Sequence, residues 1–211
     1  VRRRMVPFAV TDAVDVPKVP RYEPRVLGSD EARDVLNAFR GSPIESAVIM
    51  ALGCGLRRSE ICGLDWEDID LDAREVRVSK RYLVIDGEPD MDTPKTRNSD
   101  RTVSIPPSFA SRLAEIKPRE YACTDPDTGR HPMLVGERCC RRMPPDSLGQ
   151  EYDRTARAHG VRYTSFKNLR HSHATMMLDS GVDVVSVSRR LGHASVSTTD
   201  TLPAVEATAT A

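Results

Sequence analysis

No apolar run in the 211 residues approaches the roughly 20 that a membrane-spanning helix needs, so a soluble chain is expected. VRRRM at the start is basic, but the apolar stretch behind it is broken by Pro7 and Asp12. A signal peptide is therefore not expected, and a cytoplasmic setting follows. Neither sign of charge is in excess, with 31 Lys and Arg against 31 Asp and Glu, a balance that by itself argues against a nucleic-acid partner. GxGxxG, P-loop and internal-repeat patterns are all missing, which sets aside dinucleotide folds, P-loop NTPases and solenoids. Cysteine offers no framework: Cys54, Cys62, Cys123, Cys139 and Cys140 are odd in number and two are adjacent, so reduced thiols are expected. A zinc cluster of Cys123, His131, Cys139 and Cys140 fits no ligand spacing, and no metal or cofactor is expected. Tyrosine is absent beyond Tyr163, the others being Tyr22, Tyr82, Tyr121 and Tyr152.

What is present suits one compact domain: 39% hydrophobic and 29% charged residues in a chain long enough for a sizeable core. Charge is unevenly placed. Glu60–Glu75 is strongly acidic, whereas VRRR and Arg138–Arg170 are rich in arginine, which suggests a basic face and an acidic back. Residues 1–25 hold four prolines and no sustained period, and read as a basic linker or arm. Ser29 is a good N-cap for an amphipathic helix with Val35, Leu36 and Phe39 on one face. PIESAVIMALGCG, with Pro43 in its first turn, is apolar nearly all round and ends in two glycines, the pattern of a buried helix with a tight exit.

Val76 and Val78 alternate with charges, Asp86-Gly87 is a hairpin signal and RTVSIP alternates again. Glu75–Pro106 therefore predicts a small antiparallel sheet of about three strands. A long connection over Lys117–Pro145 precedes three further helical segments, the last two closed by Gly181 and Gly192. Ser197-Thr198-Thr199-Asp200 is a capping box that should open another helix, with Leu202 in its first turn. The expected class is α+β, mostly helical.

Several polar groups look out of place. Arg57 follows the glycine-rich exit and precedes the helix SEICGL, where its guanidinium could bind an anion beside free amides, or pair with a neighbouring acid. Lys167 and Arg170 share a helix face, as an anion site or a solvated basic face. His171 and His173 follow, in positions that suit satisfied core or boundary histidines. His193 projects just beyond Gly192, and could equally interact with the helix macrodipole. Lys95 lies just before a turn and could have no special role.

GCGLRRSEICGLDWEDID, TPKTRNSDRTVSIP, FKNLRHSHATMMLDSGVD and SRRLGHASVSTTDT, in that order, resemble the catalytic domain of tyrosine recombinases, the phage integrase family. The resemblance covers about Ser29–Thr201. It implies metal-free phosphoryl transfer on double-stranded DNA, in which a tyrosine attacks the scissile phosphate, forms a 3′-phosphotyrosyl link and frees a 5′-hydroxyl. A second strand's hydroxyl then reverses the step. Arg57 and Arg170 resemble the pair that clamps the non-bridging oxygens, Lys95 the general acid and His193 the LGH histidine that hydrogen-bonds the phosphate. Lys167 stands where the family most often has histidine; it is carried over as a phosphate ligand, its role as base left open. The nucleophile is expected nine residues after His193, and that position is Leu202. Leucine has no nucleophile, and neighbouring Thr201 is a far weaker acid than a phenol.

The resemblance thus implies a site-specific recombination domain, at residues 26–202, whose attacking group is missing. A DNA-binding module or regulatory decoy is the alternative, and a partner protomer supplying the tyrosine is a third reading. Type IB topoisomerases share the chemistry, but LGHASVSTTDT favours the recombinases. Residues 203–211 read as a disordered Ala/Thr tail. The N-terminal core-binding domain of the family is expected to be missing, leaving weak DNA binding. A tetramer on DNA and a monomer off it are the expected states.

Overall fold

A computed structural model of the chain describes residues 25–92, 100–136, 140–161 and 164–192. Among these, seven helices and five short strands follow one another: α1 (Ser29–Ala38), α2 (Glu45–Cys54), α3 (Arg58–Gly63), a 3-10 turn (Trp66–Asp68), β1 (Ile69–Asp70), β2 (Glu75–Val78), β3 (Arg81–Ile85), β4 (Glu88–Asp92), β5 (Arg101–Ser104), α4 (Pro107–Glu120), α5 (Pro145–Ala158), α6 (Phe166–Asp179) and α7 (Val184–Leu191). No helix among the described residues is long and apolar enough to cross a membrane.

The apolar segment ESAVIMALGC is the centre of the molecule. All ten residues of α2 are buried, and α6, α3, α1 and α4 pack around it. Pro43 lies in the turn before this helix rather than in its first turn. Its exit is Gly55, in the left-handed conformation at φ 68°, as the paired glycines suggested. At α1, Gly28 is the N-cap and Ser29 the first helical residue, because Glu31 reaches back to the Gly28 amide. Val35 and Phe39 are buried as expected. Phe39 stacks on Tyr152 (4.8 Å, 10°), which meets Phe166 edge-on (5.5 Å), so one aromatic file ties α1 to α5 and α6.

The strands divide differently from a single sheet over Glu75–Pro106. β1, from the acidic stretch, joins β2 and β5 in an antiparallel three-stranded sheet of order β1-β2-β5, whose buried face carries Val76, Val78 and Val103. β3 and β4 form a separate hairpin turned by Asp86 (φ 54°) and Gly87 (φ 85°). This hairpin leaves the sheet because its first strand packs on α3: Arg81 Cα and Tyr82 N stand 3.1 Å from where a Cβ on Gly63 would lie.

Glu60–Glu75 is an acidic surface only in part: Glu67, Asp70, Asp72 and Glu75 are exposed, whereas Glu60 and Asp65 are buried. Asp65 is fully buried, with Lys80 Nζ at 2.5 Å, Arg130 Nε at 2.5 Å, and Arg142 also donating to it. Arg142 further donates to Gly63 O and Leu64 O and pairs with Asp125 at 3.3 Å. Arg130 and Lys80 also hold Asp68, and Glu67 meets His131 Nδ1 at 2.5 Å. Asp65, Glu67 and Asp68 thus fasten the connection after α4, which also pairs by Trp66 N to His131 O and Met133 N to Leu64 O.

Two buried groups set opposing pH dependences. Burial pushes Glu120 up to about 7 from 4.5, against hydrogen bonds from Ser46 and Arg119. Burial, then Arg190, pushes His173 down to about 4 from 6.5. The folded state therefore holds Glu120's proton to higher pH, so stability falls as pH rises from about 4.5 to 7. For His173 the unfolded state binds the proton first, so stability is lost as pH falls from 6.5 towards 4. The two slopes oppose each other over nearly the same window. Glu120→Gln is expected to unmask the histidine, with stability rising by up to about 1.4 kcal/mol per pH unit across that window. Urea titrations at pH 5 and pH 7 check this; equal midpoints in the variant would refute the assignment.

Candidate active site

The left-handed exit of α2 delivers the chain into Leu56 and Arg57, and Arg57 is the N-cap of α3. A Cβ at Gly55 would stand 2.5 Å from His173 Cδ2 and 2.7 Å from Leu191 Cδ2, so glycine is needed there for space as well as for its positive φ. α2, α6 and α7 meet at this point. From α6, Arg170 sends Nη1 to Gly55 O (2.6 Å) and Nη2 to Leu191 O (2.7 Å). Arg57 sends Nη1 to Leu191 O (3.3 Å) and Nη2 to Gly192 O (3.0 Å). The two guanidinium groups expected to act together therefore share one acceptor, at the left-handed C-terminus of α7 (Gly192 φ 65°).

Glu60 is the hub beneath them. Its Oε1 accepts from Arg57 Nη1 (2.8 Å) and Arg101 Nη1 (3.1 Å); its Oε2 accepts from the Arg57 amide (2.8 Å) and Arg101 Nη2 (3.1 Å). Arg170 Nη1 lies 3.9 Å from Oε2. Burial alone would raise the Glu60 carboxyl, but Arg101 and then Arg57 hold it below the ordinary value, so it is ionised. The amide that an anion could have taken at Arg57 is thus spent on Glu60. Both readings of Arg57 meet here, since it is paired with a near acid and still carries unspent donors.

Three guanidinium groups face one carboxylate, leaving a surplus of positive charge in a partly enclosed spot. Burial, then Arg57 and Arg101, depress the Arg170 guanidinium, and Glu60 opposes them. Guanidinium stays charged at neutral pH, so Arg170 is a cation held in a largely buried place beside two others. Of five N–H groups each, Arg57 spends three and Arg170 two on described acceptors. A planar guanidinium with donors to spare suits two oxygens of one phosphate.

The cleft beside them, about 840 Å³, is lined by Arg57, Arg58, Lys167, Arg170 and His171, with Gln150 of α5 opposite. Lys167 is exposed on the first turn of α6, on the face it shares with Arg170. His171 is held below its usual value by burial, then by Lys167 and Arg170. A second cleft of about 1010 Å³ adjoins through Arg58, Leu83, Pro145, Asp146 and Gln150, and carries Arg141, Arg142 and Arg154. His173 is no part of either cleft: its Nδ1 bonds Leu52 O (2.7 Å) and its Nε2 accepts from Arg190 (3.2 Å), as befits a satisfied core histidine. Among the described residues no group of three or more His, Cys, Asp and Glu could hold a metal ion.

Arg57, Lys167 and Arg170 are thus brought to one cleft. Lys95, His193 and Leu202 lie outside the described residues, as does the capping box at Ser197. Glu60, Arg101 and Arg190 were not anticipated. Glu60 had a signal, an acid at the capping position three residues after Arg57. Arg101 and Arg190 had none, for each acts across the fold.

A family model described as the phage integrase family matches residues 25–205. Tyrosine recombinase XerC of Corynebacterium glutamicum is 33% identical over 190 residues, covering 87% of this chain and 55% of that protein. Tyrosine recombinase XerA of Pyrococcus furiosus is 31% identical over 186 residues, covering 87% and 58%. The chain therefore spans little more than half the length of these relatives. Among solved structures, a XerA recombinase superposes with a TM-score of 0.70 at 25% identity, over 87% of this chain and 60% of that one. The Tn1549 transposon integrase, in complex with transposon right end DNA, gives 0.76 at 20% identity over 96% and 67%, a likeness of fold. With the α+β architecture, the arginine-lined cleft and a family match over most of its length, the chain belongs to the phage integrase family, the tyrosine recombinases.

Proposed function

We propose that residues 26–202 are the catalytic domain of a site-specific DNA recombinase that binds a DNA phosphate between Arg57 and Arg170 but carries no nucleophile of its own. The observation that supports this most is the set of three guanidinium groups around the single carboxylate of Glu60, two of which, Arg57 and Arg170, line an open cleft. Such planar, fixed donors stabilise charge that builds on the non-bridging oxygens of a phosphate under attack. Lys167 on the cleft rim is a further phosphate ligand, Lys95 the general acid for the leaving 5′-oxygen and His193 a phosphate donor. Leu202 stands at the position of the attacking tyrosine, so this chain holds DNA without cutting it, which is also how a regulatory decoy would behave. Double-stranded DNA is the partner, residues 1–25 a basic arm along it, and a tetramer forms only on DNA. The setting is cytoplasmic.

Duplex binding followed across a salt series tests the reading. Log affinity should fall linearly with log salt, and Arg170→Ala should lower affinity about tenfold and the slope by about 1. Salt-insensitive binding, or an Arg170→Ala slope equal to that of the unsubstituted chain, would overturn it.

A further inference from the structure

The phosphate-facing arginines are held by a third that faces no cleft. Arg101 is the first residue of β5, and its side chain is only 9% exposed. Its fork donates both terminal nitrogens to the two oxygens of Glu60 at 3.1 Å, while Nε donates to Arg190 O at 2.8 Å. One planar group thus joins three elements: β5, α3 through Glu60, and the end of α7.

A second observation comes from Gly192. A Cβ there would stand 3.0 Å from Arg101 Nη1, 3.1 Å from Cζ and 3.2 Å from Nε. The guanidinium occupies the space a side chain would take, and Gly192 serves both the left-handed turn and this approach. Arg101 lines neither of the two clefts around the arginine pair, so it has no path to a phosphate in them.

We propose that Arg101 is a positioning residue for the phosphate site: it orients Glu60 so that Arg57 is fixed beside Arg170, and it locks the end of α7 against both. The inference rests on the phosphate-binding reading above. Orientation, rather than charge alone, carries the effect, because three directed donors from one plane reach Glu60 and Arg190 O together. An ammonium on a flexible stem cannot reproduce that fork.

Duplex affinities of the Arg101→Ala, Arg101→Lys and Arg57→Ala chains, and of the Arg101→Ala/Arg57→Ala double variant, test this, with thermal melts as the folding control. Arg101→Ala should weaken binding about tenfold and lower the salt slope by about 1, as Arg57→Ala does. In the Arg57→Ala background Arg101→Ala should add less than about twofold, since both remove one contact. Arg101→Lys should bind as weakly as Arg101→Ala. Additive losses, or an Arg101→Lys chain that binds as the unsubstituted protein does, overturn the proposal. Should Arg101→Ala not fold, Arg101→Lys decides alone.

The Nε–Hε NMR signals of Arg57 and Arg170 read the same idea without DNA. They should shift in Arg101→Lys, and unchanged signals would reject the positioning role whatever the DNA result. An unsubstituted chain that fails to bind duplex while those signals shift would instead reject the phosphate-binding reading and leave the positioning intact.

Discussion

Asp65→Ala is expected to cost about 3–5 kcal/mol of stability, a large share of the roughly 5–15 kcal/mol that holds a domain folded. Asp65 is fully buried and receives Arg142, Lys80 and Arg130. Arg142 is the group left in difficulty, because its side chain is 5% exposed and, among the described residues, the more distant Asp125 and two carbonyls would remain to it. An uncompensated buried charge is expensive where an exposed one is nearly free. The network also pins the connection carrying Met133, Leu134 and Met143 to the core, so its loss should expose apolar surface as well. Trp66, the single tryptophan, is buried directly beside Asp65 and reports the event by its fluorescence in urea. A midpoint shift equivalent to less than about 1 kcal/mol would mean that the network is ornamental. The same carboxyl predicts acid lability. Burial raises it, but Lys80 and Arg142 hold it below the ordinary value, so its contribution is complete at neutral pH and is lost as pH falls through the depressed value.

The unsubstituted chain should form no covalent adduct with a nicked suicide duplex, and Leu202→Tyr should form one. The expected contrast is between no detectable SDS-resistant product and a clear band, since an unactivated aliphatic side chain cannot attack phosphorus. Other tyrosines are poor substitutes. Tyr152 is fully buried in the aromatic file and burial pushes its phenol well up; burial also raises Tyr82, which sits on the hairpin. Tyr121 stacks on His131 and lines neither of the two clefts at the arginine pair. Adding Arg57→Ala or Arg170→Ala to Leu202→Tyr should suppress the band at least about a hundredfold, as loss of a transition-state donor does. An adduct from the unsubstituted chain, mapped by peptide sequencing to any of its five tyrosines, would falsify the assignment of Leu202.

Local features of this fold could be read from the sequence and distant pairings could not. Gly55, Gly181 and Gly192 all adopt positive φ, because a helix end that must turn sharply selects the residue without a Cβ. The burial of α2 and the shared face of Lys167 and Arg170 followed from helical periodicity in the same way. The division of the strands did not, since alternation shows that a segment is extended and says nothing of its neighbour. The burial of Asp65 within the acidic stretch could not be read locally, because its neutralising partners, Arg130 and Arg142, lie far along the chain. Glu60 and Arg101 escaped notice for the same reason, 41 residues apart and each ordinary in its own surroundings. Arg57 and Arg170 were recognised through motifs, and the structure supplied what the motifs lack: the carboxylate that stops the arginines repelling one another.

The end of α7 carries a consequence beyond positioning. Arg57 and Arg170 donate to Leu191 O and Gly192 O, and both residues line the cleft. The order of this helix terminus and the occupancy of the cleft are therefore two readings of one equilibrium. By thermodynamic reciprocity, an anion that steadies these guanidinium groups tightens the helix end by as much free energy as a tight helix end lends to the anion. The frayed or fastened state of α7's last turn, followed by amide exchange, becomes a gauge of the cleft that needs no cleavage chemistry at all.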